Sequence, residues 1–139
     1  MERAALFAEK GYNLIENDPF QFGMAGEVFT LSNEFERGSL SFARLFELDD
    51  NPSNTFTTFY MIASFLNEDY SKVKELALRI ISKEEVFNTK DIGYAYIFLI
   101  YATHFENDET MLKKYLKAFR ELEEPYSSEM WTSWGNPFN

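Results

Sequence analysis

Residues 19–52 read PFQFGMAGEVFTLSNEFERGSLSFARLFELDDNP. Two amphipathic helices are written into this stretch. Phe22, Ala25, Gly26 and Phe29 recur at three- and four-residue intervals, which places them on one helical face. Phe35, Gly38, Phe42, Leu45 and Leu48 do the same in the second segment. Gly26 and Gly38 fall mid-helix, where glycine costs about 1 kcal/mol relative to alanine. That cost is offset if the missing side chain lets two helix backbones close in and brings large phenylalanines into contact.

The same residues resemble a tetratricopeptide repeat. The family pattern is Trp, two residues, Leu-Gly, two residues, Tyr, then Ala, three residues, Phe, then Pro. Phe22, Ala25-Gly26, Phe29, Gly38 and Phe42 stand in register with it. Phe replaces Trp, Ala replaces Leu, and the family proline falls on Asp50, with Pro52 two residues late. The resemblance implies an all-α fold of stacked antiparallel helical hairpins, an α-solenoid of about six to seven helices. It also implies a concave groove, lined by the first helix of each hairpin, that takes a peptide or protein partner. In this register Phe20, Gly23, Glu27 and Thr30 point to the groove, and Thr58, Ile62 and Phe65 are their counterparts in the next hairpin. The family's chaperone-tail type of groove uses Lys, Arg and Asn to grip a terminal carboxylate. Here Gly23 and Glu27 stand instead, so a neutral or basic segment is the expected ligand. Phe20 and Phe65 would serve equally to complete the core.

Outward from this stretch the helical pattern continues. Glu2 to Ile15 reads as a helix stopped by Asn17-Asp18-Pro19, because the residue before proline avoids helical geometry. It looks like the second helix of a repeat whose first is missing. Ser53 or Asn54 caps a helix running to Leu66. The next, Tyr70 to Ser82, carries the stripe Val73, Leu76, Ala77, Ile80 and Ile81. Asn88 or Thr89 caps a helix from Lys90 to His104 that is apolar on most sides, which suits a central position. Glu106 to Glu109 forms a turn, and Thr110 to Leu122 makes a last helix. From Gly38 to Val73 is 35 residues and from Val73 to Leu112 is 39, so the period drifts. Residues 1–125 are expected to form one helical-repeat domain. The tail 126–139, with Trp131 and Trp134, is expected to cap the last hairpin or to mediate self-association.

Composition bounds the function. With no cysteine there is neither a disulfide framework nor a thiol nucleophile. A formal charge of -10 repels phosphate backbones, which argues against nucleic acid and favours a neutral or basic protein partner. No secretory leader is read at the N-terminus. The longest apolar run, Ile92 to Ala102, falls short of the roughly 20 residues a bilayer requires. A cytoplasmic protein without membrane contact is expected.

Nothing in the chain suggests catalysis. The sole histidine, His104, is four residues from Asp108. A single histidine with scattered carboxylates is a poor metal set, and a helix C-terminus suits its partial charge. There is no Gly-x-Ser-x-Gly elbow, and Gly23-x-x-Gly26 sits inside a helix rather than between strand and helix. Neither enzyme activity, cofactor nor metal is expected. The leading reading is a non-catalytic scaffold that binds a protein or peptide through Phe20, Glu27, Thr30, Thr58, Ile62 and Phe65. The other reading is a small acidic immunity or antitoxin-type inhibitor of a basic enzyme.

Overall fold

The computed structural model describes residues 3–6, 18–83, 87 and 89–122. All regular structure among them is α-helical. Residues 3–6 are helical, and the rest of the helix expected over 2–15 lies outside the described residues, as do Trp131, Trp134 and the whole tail. Six helices follow: α1 (Pro19–Leu31), α2 (Phe35–Leu48), α3 (Asn54–Leu66), α4 (Tyr70–Ser82), α5 (Thr89–Phe105) and α6 (Glu109–Arg120). Glu109, expected in a turn, instead opens α6, because Asp108 caps it by accepting from the Met111 N–H at 3.2 Å. The chain divides into two compact units, Met1–Asp69 and Tyr70–Asn139. The boundary falls inside the stretch that the sequence expects to form one 1–125 domain.

In the first unit α1 begins where Asp18 caps it, accepting the Phe20 N–H at 3.1 Å, with Pro19 at the first turn. The three-residue connection to α2 turns the chain back on itself, and α1 and α2 pack along their length. Their contact is made at glycines. A Cβ on Gly26 would meet three ring atoms of Phe42 at 2.8 Å, and one on Gly38 would meet Thr30 Oγ1 at 2.5 Å. The expected exchange of glycine for close approach is therefore present. Phe22, Phe29, Phe42 and Leu45 are buried around it. Ser53 caps α3, accepting the Phe56 N–H at 3.2 Å. α3 packs on both α1 and α2, burying Phe56, Tyr60, Met61 and Ala63.

In the second unit α5 contacts α4 and α6. Its apolar circumference follows: Ala95, Ile97, Leu99, Ile100 and Ala102 are all fully buried. Val73, Leu76, Ala77 and Ile80 form the buried stripe of α4. Phe119 of α6 joins Ile97 and Ile100, with Tyr96, Tyr115 and Leu116 packed around them. An ion pair between Lys74 and Glu106 ties the start of α4 to the end of α5.

One backbone device recurs three times. Asn33, Glu68 and Asn107 have positive φ, at 64°, 59° and 59°. Each is followed by a residue whose N–H reaches back into the helix just ended. Glu34 donates to the Phe29 carbonyl at 2.8 Å, Asp69 to Ser64 at 2.9 Å, and Asp108 to Thr103 at 3.2 Å. The residues at positive φ donate to Thr30, Phe65 and His104. This is the Schellman motif, which satisfies the orphan carbonyls of a helix end. It closes α1, α3 and α5 at the same 35- and 39-residue intervals that separate Gly38, Val73 and Leu112. The same backbone turn therefore ends three helices, at spacings that change by four residues just as the side-chain pattern does.

Candidate binding face

α1 is apolar on more than one side. Phe22, Gly23, Ala25, Gly26, Phe29 and Thr30 are buried. At 100° per residue they sweep one side of the helix. On the opposite side Phe20, Met24 and Leu31 are 59%, 39% and 55% exposed. Glu27 falls between Met24 and Leu31 on that same narrow stripe and is half-buried. Burial strips water from its carboxylate and raises its pKa above the ordinary glutamate value. α1 contains no lysine or arginine.

Phe20 is the outer end of a run of rings. Its centroid lies 6.0 Å from that of Phe56 on α3, and Phe56 lies 6.3 Å from Phe42. Phe42 stacks on Tyr60 at 5.7 Å, and Tyr60 meets Phe46 edge-on at 5.1 Å. Such tilted and edge contacts each add about 0.5–1.5 kcal/mol beyond burial. Phe20 therefore has one edge braced against the core and the rest in solvent.

Of the sequence-predicted residues, Phe20 and Glu27 share the open side of α1. Thr58, Ile62 and Phe65 share the side of α3 opposite its buried residues, and all three are half-buried. Two positions need correction. Thr30 is only 5% exposed; its hydroxyl donates to the Gly26 carbonyl at 2.7 Å and faces Gly38. Gly23 is buried under the Phe56 ring, which would collide with any Cβ there. Both sit about 60–80° around the helix from Phe20, far enough to turn from solvent into the packing with α2 and α3. Met24 and Leu31 are the residues that share the exposed side with Phe20 instead. Their spacing from Phe20 and Glu27 was visible in the sequence, but α1, expected to be amphipathic, carries apolar residues on more than one side, which does not say which side is open.

In the second unit His104 is exposed, with its ring 5.7 Å from that of Phe105. With Asn107, Asp108, Glu109, Leu112, Lys113 and Leu116 it lines an open depression of about 470 Å³. α5 ends at Phe105, so His104 and Asp108 do not share a helix. Among the described residues no group of three or more His, Asp or Glu is placed to hold a metal ion. No described helix is long and apolar enough to cross a membrane. No protein-family model, curated protein or solved structure matches the chain.

Proposed function

We propose that this chain is a non-catalytic protein-interaction module that holds a peptide or protein partner on the open face of its first unit. The observation that carries this is the stripe on α1. Three large apolar side chains stand in solvent on the side opposite the core, around one half-buried carboxylate. A few braced aromatic or aliphatic anchors supply most of the affinity of such a face, with a charge fixing register. Thr58, Ile62 and Phe65 would extend it along α3. The recurring Schellman turns support the helical-repeat reading, in which first helices present such a face.

The test compares capture of partners from host lysate by the wild-type chain, Phe20→Ala and Glu27→Lys. A specific partner retained by wild type and lost or weakened about tenfold or more in both variants is the expected result. Capture unchanged by both substitutions removes this face from the function.

A further inference from the structure

Phe20, Met24, Glu27 and Leu31 are separated by four, three and four residues. That alternation is the seam spacing of packed helices, in which each side chain fits between four residues of a facing helix. The stripe runs about 16 Å at 1.5 Å per residue, or three turns. An extended strand presents side chains every second residue and would meet such a stripe only intermittently. The stripe is also one side chain wide, which suits a single helix lying along it.

The charge selects among helices. Glu27 occupies a seam position and is half-buried, so an apolar neighbour closing over it would leave a carboxylate uncompensated. A second copy of α1 cannot supply the counter-charge. Paired parallel it sets Glu27 against Glu27; paired antiparallel about its midpoint it sets Glu27 against Met24. Asp18, Glu34 and Glu36 lie in and around the ends of α1, and no basic residue occurs from 18 to 36. We infer that the stripe docks an amphipathic helix of a partner protein, with apolar side chains against Phe20, Met24 and Leu31 and an arginine or lysine against Glu27. An arginine fits best, because its planar fork can engage both carboxylate oxygens.

This rests on the reading of the α1 face as a binding face, and the experiment separates the two. Three labelled peptides of about 20 residues are titrated by anisotropy into the full chain. One is a helix with leucines at the seam positions and a central arginine. The second has the same composition, broken by prolines into an extended form. The third replaces the seam arginine by glutamate. The basic helix is expected to bind wild type about tenfold or more tighter than either other peptide. Glu27→Lys is expected to transfer that preference to the acidic helix. Equal or tighter binding of the extended peptide overturns the helical partner and leaves the binding face standing. If no peptide binds, the inference falls; lysate capture that is nonetheless lost in Phe20→Ala and Glu27→Lys then spares the face. Capture indifferent to both variants removes both. A dimer of the wild-type chain that Leu31→Glu converts to monomer would give the stripe to a second copy and also overturn the inference.

Discussion

Gly38 of α2 lies against Thr30 of α1 so closely that a methyl group added to the glycine would sit 2.5 Å from the threonine hydroxyl oxygen. It would also be 3.3 Å from the Gly26 carbonyl oxygen. The hydroxyl cannot easily swing away, because it donates to that carbonyl at 2.7 Å. Gly38→Ala should therefore destabilise the first unit by about 1–2 kcal/mol. Overpacking of roughly 1–3 kcal/mol outweighs the intrinsic helix gain of up to about 1 kcal/mol. A urea melt showing a stabilised Gly38→Ala protein would contradict this helix contact.

Phe42 is fully buried, sits on Gly26, and touches both Phe56 and Tyr60. Phe42→Ala should cost about 3–5 kcal/mol, the range for a buried phenylalanine whose cavity closes only in part. Chemical denaturation followed by tyrosine fluorescence measures it. A loss below about 1 kcal/mol would place the ring outside the core.

Glu68 holds a positive φ, a region that asparagine, as at Asn33 and Asn107, enters at less steric cost than glutamate. Glu68→Gly should raise stability by about 0.5–1 kcal/mol, with the lost unfolded-state restriction subtracting part of the relief. The same change at Asn33 should gain less. Matched melts of the two variants decide the order, and an equal or reversed gain would count against strain at Glu68.

Burial raises the Glu27 carboxyl above its ordinary value of 4.5. A raised folded-state pKa means the folded chain holds the proton more tightly than the unfolded one. The contribution is favourable below the unfolded value and is lost as pH rises through the folded value. Glu27→Gln should thus gain on wild type over that window and then keep a constant lead to neutrality. The lead should be no more than about 0.5 kcal/mol, because the group is still partly solvated. Parallel melts from below 4.5 to neutral pH test it; a glutamine variant that loses ground as pH rises would mean the carboxylate is paired.

Phe20 is 59% exposed, yet one edge touches Phe56. Phe20→Ala should lower stability by less than about 1 kcal/mol while weakening partner capture about tenfold or more. A stability loss like that of Phe42→Ala would make Phe20 a core residue.

Residue spacing alone was enough to place the described helices from Pro19 onward. The Tyr70–Ser82 helix appears with both predicted ends, and Gly26, Gly38 and Phe42 meet as their intervals require. These outcomes are local or concern neighbouring helices, where periodicity and a short connection leave few arrangements. The face of α1 was a different matter. Its apolar residues occupy more than one side, so the pattern within it does not distinguish the side that α2 and α3 cover from the side they leave open. Phe56 settling on Gly23 and Thr30 turning to Gly38 made that choice, and both are contacts between helices. Only once those sides were taken did Phe20, Met24, Glu27 and Leu31 stand out as the remainder. Burial is a property of what packs against a residue, and a single helix's sequence does not contain its neighbours.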